Sequence, residues 1–209
     1  MNLKKLKRPL PPPGLDYPSY GDGSFVPAPN LEKWIRANFI EEGGPLYREA
    51  HNHLKHATIG CLWTDKPLTK NQKTVAAMAR MPSAQGDKWI QGSAAQQLRD
   101  WFGIEPVFLL TFYGPYCAEV EDITFCALVR HELLHCAQAV DRDGLPKTTK
   151  DGEPKFAIRG HDVEEFTIVV EDFGIDAAAG DSRAFVEAAR HAPKIGRARI
   201  VDACGTCQR

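Results

Sequence analysis

What this chain lacks narrows the possibilities first. Its net charge is −1 over 209 residues, so no excess of either sign draws the whole molecule to nucleic acid or to an acidic membrane. No apolar run approaches the roughly 20 residues that span a bilayer. The charged start (Lys4, Lys5, Lys7, Arg8) is not followed by the apolar segment of a secretory signal. A cytoplasmic protein with no membrane partner is therefore expected. No internal repeat is present. The chain has six cysteines, but its size, the missing export signal and the apolar helical positions of Cys126 and Cys136 favour reduced thiols over a disulfide framework. Cys204 and Cys207 form a lone CxxC with no second pair nearby. That excludes a complete zinc ribbon in the region and leaves a frayed tail as the expectation.

What is present suits one domain with appendages. Residues 1–29 are rich in proline (Pro11, Pro12, Pro13, Pro18, Pro27, Pro29), cannot form a helix and read as an extended N-terminal arm. The domain proper is expected over 30–192, with a tail over 193–209. Asn30 can cap a helix carrying Leu31, Trp34, Ile35 and Phe39, and Gly43-Gly44-Pro45 ends it. A second helical stretch runs to about His56, with His51, His53 and His56 expected on its solvent side. Residues 57–63 read as a strand, 73–81 are ambiguous, and 94–102 read as a helix stopped by Gly103. Residues 104–112 form the strongest strand candidate. Lys150-Asp151-Gly152-Glu153 marks a hairpin turn within 145–158. Helices are expected over 162–173, ending at Gly174, and near 182–191.

Residues 131–135 read His-Glu-Leu-Leu-His inside an apolar stretch from about Asp122 to Val140. On a helix, positions i and i+4 share a face, so His131 and His135 can present two imidazole nitrogens to one metal ion. Glu132 is then placed to act on water as a general base. Cys126, Val129, Leu133, Cys136, Ala137 and Val140 recur at helical spacing as the core-facing stripe. The histidines fall on another face with Thr124, Leu128 and Gln138, free to carry chemistry. Catalytic zinc usually takes three protein ligands. His161, delivered by Gly160 at the start of the third helix, is one downstream candidate, and Glu164 and Glu165 one turn later could substitute by geometry. If His161 binds, either glutamate could instead orient an imidazole.

His131-Glu132-Leu133-Leu134-His135-Cys136 with Gly160-His161-Asp162-Val163-Glu164-Glu165-Phe166 resembles the phage metallopeptidase family and, more distantly, the SprT-like (Spartan-type) zinc proteases. The likeness covers roughly residues 50–175 and includes Ile59–Lys66, which looks like the family's early strand. It implies Zn2+ held by His131, His135 and His161, with Glu132 as catalytic base. The step from His161 to Glu165-Phe166 is one residue longer than in the SprT-like pattern, so the glutamate alternative stays open. The expected fold is α+β and zincin-like, with a small mixed sheet from the early strands and the 145–158 hairpin packed on the HExxH helix. The expected function is a zinc-dependent metallopeptidase of phage origin, acting on protein or peptide in the bacterial cytoplasm. The charge argues against nucleic acid as a partner, whereas the SprT-like resemblance keeps it open. Part of 104–112 is the candidate edge strand for substrate, and Arg159, Tyr113 and Tyr116 are candidate oxyanion donors. The competing class is a non-catalytic metal-binding or interaction protein with the same fold. A deformylase-like amidase, suggested by Cys61 in Gly60-Cys61-Leu62, lacks the glycine-rich deformylase signature.

Overall fold

The computed structural model describes residues 7–70, 72–163, 170–172, 174–175, 182–200 and 203–206. The chain forms two units, Met1–Arg159 with Ala198–Arg209, and Gly160–Arg197. Among the described residues, no helix is long and apolar enough to cross a membrane.

The first unit is α+β and built on a mixed sheet. Its strands are β1 (Phe25–Pro27), β2 (Ile59–Thr64), β3 (Thr69–Lys70), β4 (Lys73–Arg80), β5 (Phe108–Tyr113) and, from the far end of the chain, β8 (Ala203–Cys204). The order is β1-β2-β5-β4-β3, with β8 also paired to β4. β2 and β5 are parallel, Cys61 opposite Leu110, which requires a crossover; the segment carrying helix α2 (Lys88–Phe102) supplies it. α2 begins at Asp87, whose carboxylate accepts from the amides of Trp89 and Ile90, and ends at Gly103 in the left-handed region. β2 is buried along its whole length, as its unbroken apolar run requires. The 73–81 stretch resolves as β4, where Val75, Ala76, Ala77 and Ala79 are buried.

The strand order corrects one expectation. β5 lies between β2 and β4, so both of its edges are used, Thr111 facing Leu62 on one side and Met78 on the other. The 104–112 segment therefore has no free edge for substrate.

Helix α1 (Pro29–Ile35) continues as a π-helical turn over Arg36–Ile40, and a 3-10 helix follows over Glu49–His56. On the latter, His51 is wholly buried instead of solvent-facing, and of its three histidines only His56 is exposed. The motif helix, α4 (Asp122–His135), follows the short helix α3 (Gly114–Glu119). Phe125 anchors α4 in an aromatic cluster, with ring centroids 5.7 Å from Phe112, 5.9 Å from Trp34 and 6.1 Å from Trp63. The proline-rich segment reaches the same place. Arg8 is buried, stacks on Phe125 at 4.7 Å, and donates to Asp122 and to the carbonyls of Cys117 and Val120.

α4 stops at His135, five residues short of the expected end. Cys136 is extended and begins β6 (Cys136–Gln138), which pairs antiparallel with β7 (Phe156–Ile158). The backbone groups that would have continued the helix join this ladder instead. The 145–158 region thus joins residues 136–140 through the β6–β7 pairing and the Val140–Pro146 bridge, closes its own turn with the Thr148–Pro154 bridge, and does not extend the main sheet.

In the second unit, α5 (Ser182–Arg190) carries an Arg190–Glu187 ion pair at 2.8 Å. Most of the expected 162–173 helix, with Glu164 and Glu165, lies outside the described residues. Gly174 is left-handed, and its amide bonds the Val170 carbonyl at 3.0 Å, the helix-ending geometry expected of it.

Candidate metal centre

The i, i+4 spacing on α4 brings His131 and His135 together. Their Nε2 atoms lie 3.2 Å apart, with ring centroids separated by 4.9 Å and planes inclined at 74°. His135 is 2 % exposed. Its Nδ1–H donates to the Arg159 carbonyl at 2.7 Å, and the Arg159 amide bonds back to the His135 carbonyl at 2.9 Å. That pair of bonds exists because α4 breaks at His135 and the β6–β7 sheet returns the chain beside it. It sets the tautomer, leaving Nε2 as the lone-pair nitrogen turned toward His131. Arg159, expected as an oxyanion donor, thus meets His135 through its backbone. His53 supports the break from outside, with Nε2 at 2.7 Å from the Cys136 carbonyl.

A thiol completes this cluster. Cys204 Sγ lies 3.2 Å from His135 Nε2, and the donor atoms of His131, His135 and Cys204 all fall within 4.8 Å of one another. Residues 203–206 of the tail expected to fray are therefore built in. Cys61, the thiol of the deformylase comparison, is enclosed on β2, where burial pushes its pKa far up. For His135, burial lowers the pKa, but Cys204, the Arg159 carbonyl and the Glu132 charge outweigh it and the net direction is upward.

Glu132 is fully buried. Burial, then the adjacent Cys204, raises its pKa to about 7 against the pull of the two imidazoles and Thr206. Oε2 is 3.0 Å from the Thr206 hydroxyl, while Oε1 has no partner among the described residues. An orphan carboxylate oxygen in an enclosed site is costly and calls for a polar guest. Two imidazoles, a thiol and such a carboxylate suit a borderline-soft divalent ion, and the residues fit a metal centre.

The chain belongs to the Putative phage metallopeptidase family. The family's model matches residues 32–190, a span that contains the last turn of α1, the main sheet's strands from β2 to β5 and the HExxH helix. That description names a metal-dependent peptidase, a class of enzyme that acts on proteins or peptides. No curated protein and no solved structure matches the chain.

The sequence pattern does not point to two residues of this centre, Cys204 and Thr206. Their only local signal is the isolated CxxC with Gly205 inside it. The free face expected on α4 is also absent: Thr124, Leu128 and His135 on that face are all buried. His161 belongs to the second unit, where it is exposed. Tyr113 is buried at the end of β5, and Tyr116 stands on α3. A cavity of about 640 Å³ is lined by residues that include Leu62, Arg80, Leu98 and Trp101 and does not include the histidines.

Proposed function

We propose that the chain is a zinc-dependent peptidase of zincin-like architecture, with His131, His135 and His161 as ligands and Glu132 as general base. The observation that supports this best is a pair of converging imidazole nitrogens beside a fully buried carboxylate, one oxygen of which has no partner among the described residues, on one helix. Nitrogen donors favour zinc among the common hydrolytic ions. A bound zinc ion supplies a Lewis acid that polarises the scissile carbonyl and eases ionisation of water near neutral pH. Glu132, with its pKa near 7, is suited to take the proton of the attacking water and return it to the leaving amine. His135 is oriented for its part by the Arg159 carbonyl.

His161 as third ligand rests on sequence and covalent reach. Arg159 is fixed on His135 by two backbone bonds, and two Cα steps carry the chain at most about 7.6 Å beyond it. Glu164 and Glu165 are the alternative donors, or acceptors that orient an imidazole. Phage origin and action in the bacterial cytoplasm complete the reading.

The test is Glu132→Gln in the full chain. Metal content should be unchanged, while cleavage of an unstructured protein such as casein falls about 10²–10⁴-fold. Retained cleavage would remove Glu132 from the mechanism. Cys204 supports a second reading. Together with three histidines it makes four donors, and four protein ligands are the mark of a closed structural site. On that reading wild type and Cys204→Ser both bind zinc and neither cleaves any peptide.

A further inference from the structure

The C-terminal segment follows the face of α4 that carries the chemistry. The Arg199 amide bonds the Thr124 hydroxyl at 3.3 Å, Cys204 meets His135, and the Thr206 hydroxyl meets Glu132. The same segment occupies the sheet edge beside the centre. β4 uses one edge for β5, as Ala77 faces Phe112, and the other for β3 at Lys73 and Thr74 and then for β8, as Ala77 faces Cys204. Beyond β8 the pairing continues: the Gly205 amide bonds the Ala77 carbonyl at 2.9 Å, and the Ala79 amide bonds the Thr206 hydroxyl at 2.7 Å. Without these residues β4 would present a row of unpaired amides and carbonyls next to His131 and Glu132, which is what an extended peptide backbone recognises.

The fit is close enough to depend on glycine. A Cβ on Gly205 would lie 2.7 Å from Met78 Cβ, 2.7 Å from Val75 Cγ1 and 3.1 Å from the Ala77 carbonyl oxygen. The thiol, the missing Cβ and the hydroxyl thus seat one strand on β4, on His135 and on Glu132 at once.

We propose that residues 203–206 are an intramolecular latch in the peptide-binding channel. The latch takes the edge of β4 that an extended substrate would pair with, and Cys204 fills the coordination place that hydrolysis requires to be open. It rests on the metallopeptidase reading above. The substrate site it covers is a strand-addition site for extended polypeptide, selective for backbone conformation more than for side chains. Opening breaks no covalent bond of the chain: Cys204 leaves the centre, the hydrogen bonds of Gly205 and Thr206 to β4 and Glu132 part, and substrate replaces them.

The experiment uses the full chain loaded with cobalt in place of zinc, as wild type, Cys204→Ser and Gly205→Val. Three quantities are read: the near-ultraviolet thiolate-to-cobalt absorption, the affinity for a peptide hydroxamate, and casein cleavage. Wild type should show the thiolate absorption. Cys204→Ser should lose it at unchanged metal content, and Gly205→Val, which keeps every donor, should weaken it by unseating the strand. Hydroxamate affinity should rise roughly tenfold in both variants, the factor that a latch closed in nine-tenths of molecules imposes, and cleavage should rise with it. No thiolate absorption in wild type, its persistence in Cys204→Ser, or unchanged hydroxamate affinity in both variants would overturn the latch. Cleavage absent from all three chains, with absorption and affinity behaving as expected, overturns the peptidase reading and leaves the latch standing.

Discussion

The Thr206 hydroxyl lies 3.0 Å from Oε2 of Glu132, joining two residues 74 positions apart. That hydroxyl accepts the Ala79 amide at 2.7 Å and has one proton to offer, with the Ala79 carbonyl also 3.0 Å away. One side chain therefore ties the tail both to the edge strand and to the buried carboxylate. Thr206→Val keeps the shape and removes these bonds, leaving the Ala79 amide without its acceptor. Its amide hydrogen should exchange faster by the equivalent of about 1–3 kcal/mol. Exchange as slow as in wild type would show that the tail is held by other contacts.

Loss of an imidazole separates metal binding from folding. His131→Ala removes a donor from the centre, and zinc affinity should fall more than about a hundredfold, beyond the loss typical of outer-shell changes. A ligand present at 100 times its dissociation constant stabilises the native state by about 2.7 kcal/mol. Chelation should therefore lower the melting temperature of zinc-loaded wild type and leave that of His131→Ala unchanged. Equal responses in the two chains would place the metal elsewhere.

Acid should destabilise the chain through His51. Burial, against the pull of the Phe39 carbonyl, depresses its pKa from 6.5 to about 4, and Arg130, His53 and Arg48 add to the depression. Nδ1 bonds the Phe39 carbonyl at 3.2 Å, and Nε2 has no partner among the described residues. A depressed value means the unfolded chain binds the proton more tightly. The stability this residue contributes is therefore present above about pH 6.5 and is lost as pH falls through 4, a total of roughly 3 kcal/mol. His51→Gln keeps a donor for Phe39 and cannot titrate. Its urea midpoint should fall less than that of wild type between pH 7 and pH 4; parallel curves would assign the acid sensitivity to other groups.

Arg8 should matter more than its place in a proline-rich segment suggests. Its guanidinium holds Asp122 at 2.7 Å, the Cys117 carbonyl at 2.7 Å and the Val120 carbonyl at 2.6 Å, all around the start of the motif helix. Arg8→Ala leaves two carbonyls without this donor and uncovers Phe125, a loss of about 2–4 kcal/mol in urea denaturation. Arg8→Lys should recover little, because a point charge cannot serve three acceptors in a fork. Full stability in Arg8→Lys would reduce the contact to its charge.

The elements legible in the chain are those written in local pattern. Ile59–Thr64 and Phe108–Tyr113 show themselves as unbroken apolar runs, Gly103 as a helix stop, and His131 with His135 as one turn of helix. The 73–81 stretch was ambiguous because Lys73–Arg80 alternates weakly, with alanines that suit helix or strand, and only pairing with β5 decides it. The end of α4 was misplaced because Cys136, Ala137 and Val140 continue the helical period; the competing ladder with Phe156–Ile158 forms some twenty residues later.

By itself the sequence determined the motif helix, its two converging imidazoles and the carboxylate between them. Side-chain direction over one turn is set by backbone geometry that each residue shares with its neighbours. Which strand owns the free edge, and that Cys204 and Thr206 return to His135 and Glu132, were decided by the tertiary structure alone. Those contacts close loops of about 70 residues, across which no local period carries information; they exist because the short β3 covers only the start of one edge of β4 and the tail, with Gly205 lacking a Cβ, can lie against the rest.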